Sequence, residues 1–116
     1  MKALVYFETM NNEIRDLSLS AVEFAKIFSN EIYGFVANLD KAKKYVKKLY
    51  VLETENEFPD VIAEEIFKII ENEKIEYIFF VSTNKAKEIM SYLAGLCNAL
   101  MIEDIEAYEN DYFIKS

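Results

Sequence analysis

Residues 77–84 read Tyr-Ile-Phe-Phe-Val-Ser-Thr-Asn, and the segment Lys85 to Cys97 that follows carries apolar residues at helical spacing. Five consecutive apolar or aromatic residues leave no polar face, so the strand they predict must be covered on both sides, as the inner strands of a parallel sheet are. The polar corner at 82–84 then turns the chain into a helix predicted over Lys85 to Ala99, with Ile89, Leu93 and Cys97 on one line and Met90 and Ala94 beside them. In open parallel sheets ligands sit at the carboxyl ends of the strands, and phosphate-binding versions place glycines there so that backbone amides can approach the anion. This corner has no glycine.

Outward from that centre, Ala3 to Phe7 is a second apolar run, closed by Glu8 and a turn at Asn11-Asn12. A helix is predicted to begin at Ser18 or Ser20, where Ser20 and Glu23 have the spacing of a capping box; Leu17, Ala21, Phe24, Ala25 and Phe28 share its apolar face. Glu31 to Ala37 reads as a strand, Asp40 to Lys48 as a short lysine-rich helix, and Leu49 to Leu52 as a short edge strand. Pro59 opens a helix in which Ile62, Ile66, Ile69 and Ile70 recur at helical spacing, leading back to the strand from Tyr77. Leu100 to Ile105 is a further strand, and Tyr112 to Ile114 a short antiparallel one after the turn at Glu109-Asn110-Asp111.

Alternation of strand and helix calls for right-handed crossovers and an α/β three-layer sandwich: a mainly parallel five-stranded sheet, Rossmann-like or flavodoxin-like, plus the short C-terminal antiparallel strand. Strand order cannot be read from periodicity. A chain of 116 residues fits one domain with one core. Its 53% hydrophobic content is spread over runs far shorter than the ~20 residues of a membrane span, and the start has no cleavage pattern, so no membrane partner and a cytoplasmic location are expected.

Several chemistries are disfavoured by composition. With no histidine and one cysteine, zinc sites, Ser-His or Cys-His catalysis and internal disulfides drop out. A net charge of -8 opposes nucleic acid as a partner. Five lysines within Asp40 to Lys48, with Tyr45, read as a solvated face more readily than a phosphate site, and five acids within Glu103 to Asp111 lack calcium-loop spacing. Cys97 reads as packing, Glu64-Glu65 as surface charge, and Phe24, Phe67, Phe79 and Phe80 as core. Tyr92, Tyr108 and Tyr112 are candidate interface residues. Thr83 and Asn84 at a helix start, with Lys85 and Lys87 nearby, could hold an anion, and Thr83, Asn84 and Lys87 are the candidate cofactor-binding residues; an ordinary N-cap beside solvated lysines is the plainer reading, and Glu8 nearby makes a phosphate less welcome.

KALVYFE at 2–8, SLSAVEFAKIF at 18–28 and the 82–94 segment together resemble the N-terminal domain of the electron transfer flavoprotein alpha subunit. Glu8 matches an acidic residue closing that family's first strand, Ala25 an alanine of its first helix, and Ser82-Thr83 its later small-Thr pair. Where the family helix reads roughly Gly-Lys-Asp-Leu-x-Pro-Arg-Leu-Ala, Lys87, Glu88, Leu93 and Ala94 fit, whereas Ala86, Ser91 and Tyr92 replace the glycine, proline and arginine. The resemblance implies an adenine-nucleotide-hydrolase-like sandwich with the strand from Ala3 central beside that from Tyr77, and a noncatalytic role docking in a flavin-based electron-transfer assembly. In the family FAD is held mostly by a glycine-rich C-terminal domain. Residues 1–116 are therefore expected to form a single N-terminal-like domain, a solitary version or a fragment, with no cofactor of its own. FAD belongs to the full assembly, with a beta-subunit-like or flavin-binding protein, or a second copy in a homodimer, as partner. The alternatives are a small adenine-nucleotide binder resembling universal stress proteins, although the glycine-rich stretch of those that bind ATP is missing, and a homo-oligomeric scaffold.

Overall fold

The computed structural model describes residues 1–81 and 83–102. Five strands form one parallel sheet: β1 (Lys2–Phe7), β4 (Glu31–Ala37), β5 (Lys48–Leu52), β6 (Tyr77–Phe79) and β7 (Leu100–Ile102), in the spatial order β5-β4-β1-β6-β7. A two-stranded hairpin, β2 (Thr9–Met10) and β3 (Glu13–Ile14), stands apart from it. Helices α1 (Asp16–Phe28), α2 (Pro59–Glu73) and α3 (Asn84–Ala94) cover the sheet, α1 on one face and the packed pair α2 and α3 on the other. This is the expected Rossmann-like sandwich. The antiparallel strand expected at Tyr112 to Ile114, the acidic run from Glu103, Tyr108 and Tyr112 lie outside the described residues.

Alternation along β1 feeds both cores. Leu4 and Tyr6 point toward α2 and α3, while Ala3, Val5 and Phe7 point toward α1, and all five are buried. With β4 on one side and β6 on the other, β1 has no edge, which is why its sequence is apolar throughout. On α2, Ile62, Ile66, Ile69 and Ile70 fall on one stripe and are buried; Pro59 occupies the first turn, where a missing N–H costs nothing. At its other end Lys74 adopts the left-handed conformation at φ 62°, and its N–H donates to the Ile70 carbonyl.

Four expectations need correction. Helix α1 starts at Asp16, before either serine, because Arg15 is held by its N–H donating to the Glu8 carbonyl at 2.9 Å, and Ser18 spends its hydroxyl on the Glu8 backbone instead of capping. The lysine-rich stretch forms only a 3-10 turn at Lys43–Tyr45: like charges three and four apart repel on a helix, and the Lys47 N–H donates to the Ile32 carbonyl at 2.8 Å, drawing the chain into β5. Helix α3 stops at Ala94, so Cys97 lies beyond it, half-buried against the core, with its N–H on the Leu93 carbonyl. Phe67 is likewise only partly buried, whereas Phe24, Phe79 and Phe80 are core.

Candidate functional site

The connections leave β1 in opposite directions along the sheet, to β4 on one side and eventually to β6 on the other, which makes the crevice beyond the carboxyl ends of β1 and β6 the natural binding place. A side-chain network closes it. Glu8, the residue after β1, is only 4% exposed. Its Oε1 accepts from the Thr83 hydroxyl at 2.6 Å and its Oε2 from Arg15 Nη1 at 3.1 Å. Its own N–H donates to Ser18 Oγ at 2.8 Å. A carboxylate this buried is tolerable only because a cation and a hydroxyl both meet it.

Of the three candidate cofactor-binding residues, Thr83 alone faces this network. It is the N-cap of α3: its Oγ1 accepts the Ala86 N–H at 3.1 Å while giving its proton to Glu8, so one hydroxyl both starts the helix and ties it to β1. Asn84 and Lys87 are exposed on the first turn and are not drawn into the network. The neighbouring Lys85 turns away to Glu57, its Nζ donating to Oε1 at 2.7 Å.

Glu57 belongs to a second cluster on the β4 side of the same crevice. Asn38, at φ 58° just past β4, donates from Nδ2 to Glu57 Oε2 and to the Thr54 carbonyl, each at 2.9 Å, and accepts the Thr54 N–H on Oδ1 at 2.8 Å. Burial pushes the Glu57 carboxyl up, but the hydrogen bonds from Lys85 and Asn38 outweigh it and hold the group below the usual carboxylate range. The phenol of Tyr6 is raised far above its ordinary value by burial first, then by the charges of Glu8 and Glu57, so it stays protonated.

Arg15, Asn38 and Glu57 are not singled out in the sequence, and Ser18 is read there only as a helix start. Nothing local marks them, since Glu8 meets Thr83 across 75 residues and Lys85 meets Glu57 across 28. Among the described residues no group of three or more His, Cys, Asp or Glu is placed to hold a metal ion, and no helix is long and apolar enough to cross a membrane. An open hollow of about 720 Å³ lies at the opposite end of the sheet, lined by Phe67, Lys74, Tyr77 and Cys97 among others. What the crevice offers chemically is a closed carboxylate network with a two-residue polar rim at Asn84 and Lys87.

No family model matches the chain. It does align with curated proteins named probable electron transfer flavoprotein subunit alpha, mitochondrial. The one from Schizosaccharomyces pombe is 29% identical over 114 residues, which cover 88% of this chain and 33% of that protein. One from Cryptococcus neoformans var. neoformans serotype D is 29% identical over 124 residues, covering 95% and 36%, and one from Cryptococcus neoformans var. grubii is 25% identical over 120 residues, covering 92% and 35%. The chain therefore spans about a third of the length of the curated relatives it matches. The chain is thus similar to electron transfer flavoprotein alpha subunits over 88–95% of its length, as the resemblance at residues 2–8, 18–28 and 82–94 leads one to expect.

Proposed function

We propose that this chain is a noncatalytic docking domain of a flavin-based electron-transfer assembly, seating on a beta-subunit-like or flavin-binding partner, or on a second copy of itself, in the cytoplasm. The observation that carries the reading is the pairing of alpha-subunit similarity with a crevice whose centre is taken by Glu8, Arg15 and Thr83. The protein's own carboxylate occupies the place where a nucleotide phosphate would meet the Thr83 hydroxyl and the start of α3. Thr83, Asn84 and Lys87 are the positions at which a partner's cofactor would touch this chain, and an anion there must first displace Glu8. FAD comes with the assembly and the chain alone is colourless.

Mixing the purified chain with a beta-subunit-like protein encoded in the same genome, then following size exclusion with absorbance at the flavin bands, tests the reading. Co-elution of this chain with a flavin-bearing complex is expected, together with no flavin retained by the chain alone. Stoichiometric FAD or AMP bound to the isolated chain, released by Asn84→Leu, would replace docking with nucleotide binding.

A further inference from the structure

Strand β5 ends the parallel sheet on the β4 side. Among the described residues strand β5 has β4 on one side and no strand on the other, and its burial falls from the near-complete burial of β4 to half-buried or exposed at every position. Edge strands of soluble proteins are commonly guarded by a central charge, a proline or a covering loop. Here the middle of the strand is Leu49-Tyr50-Val51-Leu52, and Val51 is 37% exposed.

Two features choose the occupant. Charge is divided along the strand: Lys47 and Lys48 precede the apolar centre and Glu53 and Glu55 follow it, all exposed. A copy running antiparallel about a twofold axis sets each basic end against an acidic end, whereas a parallel copy sets like against like. The hydrogen-bond phase agrees. The Leu52 carbonyl accepts the Asn38 N–H at 2.8 Å, so Leu52 faces β4, and by the alternation of a parallel ladder, which begins at Lys48 after Lys47 has given its own N–H to the Ile32 carbonyl, the backbone groups of Leu49 and Val51 face outward. An antiparallel register centred on Val51 pairs the outward groups of Leu49 and Val51 with outward groups of the second copy, places Val51 against Val51 of that copy, and brings the Lys47 side chain, just before the paired stretch, to the level of Glu55.

We infer that two copies join through antiparallel β5 strands into one continuous ten-stranded sheet. The twofold axis stands perpendicular to the sheet, so both α2 helices lie on the same face and meet over the seam. The hollow of about 440 Å³ between Tyr50 and Leu52 on β5 and Glu65, Lys68 and Asn72 on α2 is where they approach. Glu65 and Lys68, paired at 2.8 Å, can there exchange partners with the same pair of the second copy.

This interface rests on the reading of the chain as a docking domain, but it stands or falls separately. Light scattering on the 116-residue chain at low and high salt is expected to give the mass of a dimer. Val51→Pro removes an N–H that faces outward, which leaves the bonds to β4 in place while blocking the seam, so a folded monomer is expected. Val51→Cys in a Cys97→Ser background places two thiols across the axis, and mild oxidation is expected to yield a covalent dimer. That crosslink also decides the matter should the proline variant fail to fold. A monomer at every concentration, a dimer untouched by Val51→Pro in a folded protein, or no crosslink would each overturn the interface. A monomer that still forms the flavin-bearing complex leaves the docking reading intact, and a β5 dimer that never forms it refutes docking to that flavoprotein alone.

Discussion

Thr83 carries two structural duties on one hydroxyl, and its loss separates them from ordinary surface polarity. Thr83→Val removes the acceptor for the Ala86 N–H and the donor for a Glu8 carboxylate that is 4% exposed. A lost cap costs about 1 kcal/mol and an under-partnered buried carboxylate adds about 1 kcal/mol or more, so urea unfolding should report about 2 kcal/mol of destabilisation. Thr83→Ser should retain most of that stability, and equal losses in the two variants would contradict the dual role. Gly34 is a different kind of constraint: its backbone is not left-handed, yet a Cβ placed on it would stand 2.6 Å from Cε2 of the buried Phe7 ring and 3.0 Å from Leu49 Cδ1. Gly34→Ala must therefore push a core aromatic, with a cost of about 1–3 kcal/mol measurable by the same denaturation.

Elements divide by how local their causes are. The apolar runs of β1 and β6 and the isoleucine stripe of α2 were legible because burial on both faces, or on one helical face, is written directly into residue order. The hairpin of β2 and β3 was legible only as its turn: Asn11 and Asn12 take φ 54° and 64°, the positive pair that a tight two-residue hairpin turn demands. Helix α1 and the 40–48 stretch were misread because their outcomes depend on distant partners, the Glu8 backbone for Arg15 and Ser18 and the Ile32 carbonyl for Lys47. The same distance hid the partners inside the crevice: Glu8, Thr83, Asn84 and Lys87 are legible from their places at a strand end and a helix start, whereas Arg15, Asn38 and Glu57 are not. Lys74, closing α2 at φ 62° and ψ 48°, holds a conformation that glycine adopts without a Cβ penalty. Lys74→Gly should raise stability by about 0.5–1 kcal/mol, seen as a melting temperature a few degrees higher. An unchanged or lower value would mean that the lysine side chain contributes more than its backbone strain removes.

At the scale of the whole molecule, the sheet is stapled at both ends by carboxylates, and this sets its response to acid. Near the carboxyl ends Glu57 joins α3 to the chain after β4 through Lys85 and Asn38. At the opposite end Glu31 accepts from Lys47 and Tyr33, and Glu73 of α2 accepts from the Tyr50 hydroxyl and from Lys48 on β5. All three carboxyls are held below their ordinary value of 4.5: Glu31 first by the Lys47 bond, Glu73 first by the Tyr50 bond, and Glu57 by bonds that overcome its burial. A carboxyl with a folded pKa below its unfolded one binds fewer protons when folded, so its contribution is complete above the unfolded value and disappears as the pH falls through the lowered one. Thermal stability should accordingly be flat with respect to these groups from neutral pH down to about 5 and fall below about 4.5. The partly buried Glu57 should account for a distinct share of the fall, since exposed pairs are screened by solvent and salt. Glu57→Gln should lower stability at neutral pH and make the acid limb shallower, while Lys85→Met should do the same by returning the Glu57 pKa toward its ordinary value. Melting curves of the three proteins between pH 3 and 7 measure this, and parallel acid limbs would show that Glu57 does not link α3 to the end of β4 in solution.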